Sequence, residues 1–291
     1  MRSYVNVVTE VDFGGPGGRQ YLLRMEGRKR LDMVLVERGL FESRNKAAAS
    51  VLAGAVRLGA GGQRAAKPGM LVAPDVELDV QQAPRYVSRG GLKLERALAS
   101  FGISPLGRLC LDVGASTGGF TDCLLQGGGA RVAAVDVAYG ELHWRIRQDP
   151  RVTVLERLNA RTLAPNRLPY APDLIVIDVS FIGLAKILPA VARCTAVRFD
   201  LLALVKPQFE LGRDRVGKGG VVRDPDQRLE ALVSVGQAAR SMGLAVQGYC
   251  SSGLPGPAGN EESFVWCTEG ARGGVGDLLV AAREAEPRAV L

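Results

Sequence analysis

Asp112-Val-Gly-Ala-Ser-Thr-Gly-Gly-Phe120 overlaps the end of the apolar run Leu109-Cys-Leu-Asp-Val113 and leads into a helical stretch. A buried strand that breaks at Asp-x-Gly and resumes as helix after two further glycines marks an α/β unit. In such sheets ligands gather outside the carboxyl ends of the strands. The next apolar run, Arg131–Val137, reaches Asp136, 22 positions after Gly114. An acidic side chain about 20 residues beyond the first glycine is placed to hydrogen-bond a ribose.

The loop also discriminates among nucleotides. A dinucleotide site needs glycine at the second position of Gly-x-Gly-x-x-Gly, so that backbone can approach the pyrophosphate, and Ser116 stands there. A phosphate-binding loop ending in Gly-Lys-Ser/Thr is absent. S-adenosyl-L-methionine carries a ribose, an adenine and an amino-acid end but no phosphate, and a wider Asp-x-Gly-x-x-x-Gly-Gly turn suits it. The expected contacts are Asp112, Gly114, Ala115, Ser116, Thr117, Gly118, Gly119, Phe120 and Asp178, with Asp136 on the ribose. A plain tight strand–helix turn is the alternative.

Outward from this loop the chain alternates. Strand-like runs fall at Leu109–Val113, Arg131–Val137, Val152–Leu155, Leu174–Val179, Leu201–Val205, Ala245–Ser251 and Ser263–Thr268. Helical patterns lie between most of them, the longest at 225–242 with Pro225 at its start. A further helix, with Leu94, Leu98 and Phe101 on related faces, precedes the first strand. Continuous apolar strands such as Leu174-Ile-Val-Ile177 indicate burial on both faces. The fold class is therefore α/β, a mostly parallel seven-stranded sheet between helices. The last two strands, joined by a Gly/Pro loop without a helix, predict an antiparallel hairpin at the sheet's end.

What each strand ends on is informative. The fourth finishes at Asp178-Val-Ser-Phe181 and the fifth at Lys206-Pro207. A lysine closing Leu201-Leu-Ala-Leu-Val205 is awkward unless it points into a site. Glu262 precedes the last strand, whose start shares that end of the sheet if the strand is antiparallel. Lys93 sits on the helix before the first strand. Structural ion pairing accounts for any one of the four; their common placement points to a site.

The amino-terminal part differs. Residues 1–27, with Gly-Gly-Pro-Gly-Gly at 14–18, lack a clear period and read as a flexible extension; Met25 is an alternative start of translation. Residues 28–80 read as a small α+β domain. Leu31, Val34 and Leu35 belong to a helix ended by Gly39, with Leu40 packing beyond. Ser43 caps a second helix offering Ala47, Ala48, Val51 and Leu52 to the core. Strands follow at 55–58 and 76–80 around a turn at 59–62. From Arg28 to Arg89 there are eleven Lys/Arg and six Asp/Glu, net +5 of the chain's +7. A basic small domain beside a nearly neutral large one suits a grip on nucleic acid. A solvated basic face would give the same charge count.

Residues 81–89 read as a linker, 90–270 as the large domain, and 271–291 as a tail helical in part. The five cysteines are scattered and never spaced Cys-x-x-Cys, which disfavours a disulfide framework or structural zinc. Cys110, Cys250 and Cys267 read as buried small hydrophobes. No apolar run reaches about 18 residues and no signal peptide is visible, so the cytoplasm is the expected location. His143, the only histidine, reads as structural or surface.

The small segment resembles the S4 RNA-binding domain in Arg30-Leu-Asp-x-x-Leu35, Ser43-Arg44-x-Lys46-Ala47, Ala53-Gly54-x-Val56 and Lys67-Pro-Gly69. The turn Leu58-Gly-Ala-Gly-Gly62 departs from that family's usual Val-Asn-Gly. The likeness implies RNA contacts by Arg30, Arg44, Lys46, Arg57, Arg64 and Lys67. The large segment resembles the FtsJ-like ribose methyltransferases, with a Rossmann-like class I fold. The whole arrangement is similar to the TlyA (hemolysin A-like) rRNA 2′-O-methyltransferases. The specific stretches are Tyr86-Val-Ser-Arg-Gly-Gly-x-Lys93, Asp112–Asp122, Asp178–Phe181, Leu204-Val-Lys-Pro-Gln-Phe-Glu210, Gly217–Val222 and Gly256-Pro-x-Gly-Asn260-x-Glu262. That likeness implies a Lys93, Asp178, Lys206, Glu262 tetrad, Glu261 being the rival for the last place, and sets Asn159 against the adenine.

The implied substrate is rRNA, bare or within a ribosomal subunit, with a cytidine ribose as acceptor and no metal or membrane partner. Lys206 would be the general base. A reference pKa of about 10.4 leaves a lysine protonated near neutral pH, so a neighbouring cation, Lys93, would be expected to assist. Base-nitrogen methylation is disfavoured because Asp178-Val-Ser-Phe181 is not an Asn/Asp-Pro-Pro-Tyr turn, and carbon-5 methylation because no cysteine stands at a strand end. Two alternatives are a methyltransferase fold that binds RNA without catalysis and a membrane-lysing hemolysin.

Overall fold

The chain divides into two units between Ala83 and Pro84. The computed structural model describes residues 27–59, 62–80, 84–212, 215–217 and 219–285. The extension expected over residues 1–27 lies, but for Gly27, outside them.

In the small unit, β1 (Lys29–Arg30) pairs with β4 (Leu71–Val72), while β2 (Val56–Leu58) lies between β3 (Gln63–Arg64) and β5 (Leu78–Val80). Helices α1 (Leu31–Glu37) and α2 (Arg44–Leu52) pack on one another. Gly39 ends the first helical segment in the left-handed region, φ 71°, and Ser43 Oγ caps the second by accepting from Lys46 N at 3.3 Å. The core is Leu31, Val34, Leu35, Ala47, Val51, Val56, Ala65 and Val72. Leu40 and Leu52, expected in it, are 44% and 69% exposed. The buried stripe of α2 runs through Ala47 and Val51, and one further residue rotates Leu52 about 100° off that stripe.

In the large unit seven strands form one sheet in the order β11-β12-β10-β9-β6-β7-β8. These are β6 (Leu109–Val113), β7 (Arg131–Val135), β8 (Val152–Leu155), β9 (Leu174–Ile177), β10 (Asp200–Val205), β11 (Leu244–Ser251) and β12 (Ser263–Glu269). Strands β6 to β10 are parallel; β12 runs antiparallel between β10 and β11. Alternate residues serve two cores, which is why the strands read as unbroken apolar runs. Leu111, Val113, Ile175, Ile177, Leu201 and Ala203 face the core shared with α8 (Pro225–Ser241) and α9 (Leu278–Ala285). Cys110, Leu174, Val176, Leu202 and Leu204 face the core beneath α3 (Gly90–Phe101) and α4 (Gly119–Gln126).

Two strands stop earlier than their apolar runs. β7 ends at Val135 because Asp136 accepts backbone N–H bonds from both Ser116 and Ala138, which turns Val137 out to 70% exposure. β9 ends at Ile177, where the chain leaves the sheet with Asp178. The expected linker is also shorter than 81–89: Tyr86 is buried in the large unit's core, and Val87 N donates to Asp122 Oδ2 at 2.9 Å. Helix α9 packs on β11, so part of the presumed tail belongs to this unit. All five cysteines are buried. Among the described residues no helix is long and apolar enough to cross a membrane.

Candidate active site

The site sits where the sheet order reverses. β6 has β9 on one side and β7 on the other, so the loops after β6 and β9 diverge and leave a crevice at their carboxyl ends. The loop after β6 turns through Gly114 (φ 87°), Ser116 (φ 46°) and Gly118 (φ 95°). A Cβ on Gly114 would lie 2.2 Å from the carbonyl oxygen of Asp178, so only glycine lets the two loops approach this closely. Ser116 holds a left-handed conformation unusual for its type, fixed by its N–H bond to Asp136 Oδ2 at 2.7 Å.

Four charged side chains from four elements meet here in two pairs. Lys93 Nζ, from α3, donates to Glu262 Oε2 at 2.5 Å, and both residues are buried. The antiparallel register sets Ser263 opposite Val205, so Glu262 does stand at the carboxyl end of the parallel strands. Lys206 Nζ lies 2.6 Å from Asp178 Oδ1 and donates to Ser180 Oγ at 3.0 Å. The Asp178 contact is an ion pair off the hydrogen-bond direction, which leaves that buried oxygen without a hydrogen-bond donor. Glu262, not Glu261, therefore pairs with Lys93. The cation expected to act on Lys206 is itself matched by a carboxylate, and the charge beside Lys206 is the anion Asp178.

Three clefts open around these pairs. One runs between the 114–120 loop and the lysines, lined by Lys93, Gly114, Thr117, Asp178, Lys206 and Glu262, with Ala115, Gly119 and Phe120 also on its wall. A second, more apolar, lies beyond Gly114 and includes Asp136, Leu158, Asn159, Ile182 and Ile187. The third lies past Lys206, against Ser180, Phe181, Gln208 and Phe209. Asn159 Oδ1 accepts from Arg161 N at 3.0 Å, which holds the amide at the cleft wall.

Two residues of the expected cofactor set line no cleft. Asp112 is 0% exposed, beneath the loop, and accepts from Thr121 Oγ1 at 2.6 Å. Burial pushes its carboxyl up to about 7, against the lowering effect of that hydrogen bond. Gly118 makes the turn, its absent Cβ facing Leu142. Conversely Ser180, holding Lys206, was not marked by the sequence; only its place two residues after Asp178 hinted at it. His143 caps the short helix α5 (Trp144–Arg147) through Nδ1, which accepts from Arg145 N at 3.2 Å.

The six basic residues singled out in the small unit are all exposed. Arg30 and Arg44 both pair with Asp32, at 2.8 and 3.3 Å, and hold its carboxyl down at about 2, chiefly through the Arg30 hydrogen bond. Lys46 pairs with Glu42. Among the described residues Arg57 and Arg64 reach the carbonyl oxygens of Gly62 and Leu52, each at 3.4 Å. Among the described residues Arg57, Arg64 and Lys67 form no ion pair with a carboxylate.

Residues 86–268 match the model of the FtsJ-like methyltransferase family. The chain is 48% identical over 244 residues to a 16S/23S rRNA (cytidine-2′-O)-methyltransferase TlyA of Mycobacterium tuberculosis, covering 83% of this chain and 90% of the relative. It is 38% identical to hemolysin A of Brachyspira hyodysenteriae over 80% of this chain and 97% of that one. A solved structure carrying a hemolysin name, from Streptococcus thermophilus, superposes with a TM-score of 0.67 at 40% identity, covering 89% of this chain and 94% of that one.

Proposed function

The chain belongs to the FtsJ-like methyltransferase family, and on that premise we propose that it methylates the ribose 2′-hydroxyl of a cytidine in ribosomal RNA with S-adenosylmethionine as donor. The observation that carries this reading is the pairing of Lys206 with Asp178 at the mouth of a crevice walled by the Gly114–Phe120 loop.

The residues fit the cofactor. Asp136 uses its oxygens on two backbone N–H groups and retains lone pairs for a ribose hydroxyl. Asn159 and the apolar wall of Ile182 and Ile187 suit a flat adenine. Gly114, Ser116 and Thr117 would border the amino-acid end. When bound, S-adenosylmethionine supplies a methyl group already activated by its sulfonium.

The chain must supply the rest. A ribose hydroxyl becomes a good nucleophile only as its proton leaves, and Lys206 Nζ is the acceptor we assign to that proton. Asp178 and Ser180 fix the position of that nitrogen on the cleft wall. Lys93 and Glu262, locked together, border the same cleft and hold the acceptor in line for transfer. We assign the small unit the task of gripping RNA, with Arg57, Arg64 and Lys67 as the cations left for phosphate.

The test is direct. Purified protein is incubated with labelled S-adenosylmethionine and either bare rRNA or ribosomal subunits, and ribose methylation is mapped. One or a few methylated cytidines are expected. A protein that binds RNA but transfers no methyl group to either substrate would refute the enzymatic reading in favour of an inactive RNA-binding fold.

A further inference from the structure

Glu210 is a part-buried carboxylate that the chemistry above does not use. It ends α7 (Pro207–Glu210), four residues beyond Lys206. Its two oxygens accept from the backbone N–H of Leu184, Oε1 at 2.9 Å and Oε2 at 3.2 Å. That N–H opens the 3-10 turn Leu184–Lys186 and has no partner within the turn. Leu184 is itself buried, at 1% exposure, so the donor needs a protein acceptor. No lysine or arginine among the described residues pairs with Glu210, and burial pushes its carboxyl up to about 7 despite the Leu184 bond.

A local Ser or Asn could have capped the turn at less cost. A glutamate reaching across from another segment makes the contact tertiary, and what it joins is specific. Segments 178–184 and 206–210 meet in parallel order: Asp178 and Ser180 at Lys206, Phe181 at Phe209 with ring centroids 5.2 Å apart, and Leu184 at Glu210. Gly183 permits the last of these, since a Cβ there would lie 3.1 Å from Glu210 Oε2 and 3.3 Å from the Phe209 carbonyl oxygen. Phe181 is in the left-handed region, φ 65°, and 91% exposed, so its own side-chain packing does little to hold the loop in place.

We propose that Glu210 is a positioning residue for methyl transfer: by holding Leu184 N–H it latches segment 178–184 onto segment 206–210 and so sets where Asp178 stands relative to Lys206. This rests on Lys206 being the base. Glu210 itself touches neither substrate nor cofactor.

The experiment uses the full chain and single-turnover methyl transfer to rRNA at saturating S-adenosylmethionine, with hydrogen exchange of segment 178–184 measured in parallel. Glu210→Ala is expected to slow transfer on the order of ten-fold, as a misplaced group does, and to speed exchange at Leu184. Glu210→Gln keeps an acceptor oxygen and should restore both to within about three-fold of wild type. In an Asp178→Asn background, Glu210→Ala should cost much less than in the wild type, because coupled residues are not additive. A merely structural role would give an additive cycle and changes in stability alone.

Wild-type transfer by Glu210→Ala, or full additivity with Asp178→Asn, overturns the proposal. Should Glu210→Ala not fold, Gly183→Ala decides: pressing the two segments apart must slow transfer, and an unchanged rate overturns the latch. Lys206→Ala is run beside them. If it transfers at full rate the base assignment fails; if it is inactive while the cycle is additive, only the latch fails.

Discussion

The two ends of the large sheet carry similar charges in different arrangements. At the amino end Asp200 accepts from Arg108 at 3.0 Å, Arg272 at 2.7 Å and Trp266 Nε1 at 3.1 Å. There too Asp173 accepts from Arg108 and Leu109 N, and Glu269 from Arg272 and Phe199 N. These acceptors are engaged by side chains and backbone of the same network. At the carboxyl end Lys93–Glu262 and Lys206–Asp178 stand as separate pairs along clefts, with one Asp178 oxygen lacking a hydrogen-bond donor. Ion pairing by itself therefore does not mark a site. A closed network ties strands together, whereas pairs with open valence beside a cleft have capacity left for a substrate.

The sharpest way to break this contrast is at Lys206. Lys206→Ala should lower the transfer rate by about 10²–10⁴-fold, the range for a positioned general base, and leave cofactor affinity within a few-fold by calorimetry. Stability should fall as well, by about 1–3 kcal/mol, since the largely buried Asp178 carboxylate is then left without its partner. A variant with native activity would mean that the carboxyl end is as purely structural as the amino end.

Asp200→Ala is the converse. It strips an acceptor from two arginines and an indole, and breaking a paired group is costly. Arg108 and Arg272 keep roughly a quarter to a third of their side-chain surface in solvent, at 25% and 35%, so water compensates in part. A loss of about 2 kcal/mol is expected in urea unfolding, with transfer per folded molecule within two-fold of wild type. Strong loss of transfer at undiminished stability would join the two ends into one functional unit.

The two ends also differed in how far the sequence revealed them. Strands show as apolar runs because both faces are buried, and Asp136, Asp178 and Lys206 stand out as charges that interrupt or end such runs. Glu262 was legible through the antiparallel placement of β12, which the missing crossover helix after β11 announced, and through the resemblance of the 256–262 motif. The amino-end network was not legible: apart from the i,i+3 pair Glu269–Arg272, positions 108, 173, 200, 269 and 272 share no spacing and meet through strand register. In the small unit β1, β3 and β4 have two residues each, too few to show a period. Depth is equally invisible, which is why Asp112 read as a ligand contact when it lies under the loop.

Asp112 tests the contrast most finely, because it is a buried acid at the functional end with no cation. Its folded pKa of about 7 lies above the ordinary carboxylate value near 3.9. Below about pH 4 both folded and unfolded chains hold the proton. Between about 4 and 7 the unfolded chain releases it while the folded one retains it, so this group's contribution to stability falls as pH rises and levels off above 7. Asp112→Asn keeps an acceptor for Thr121 and removes the titration. The stability of the variant relative to wild type should therefore grow from pH 4 to pH 7 in urea unfolding, and cofactor affinity should stay within about three-fold. A difference that is flat over that interval would mean that Asp112 is ionised in the folded protein. A large loss of affinity would return Asp112 to the cofactor contacts and make the open valence of the carboxyl end reach deeper than its clefts.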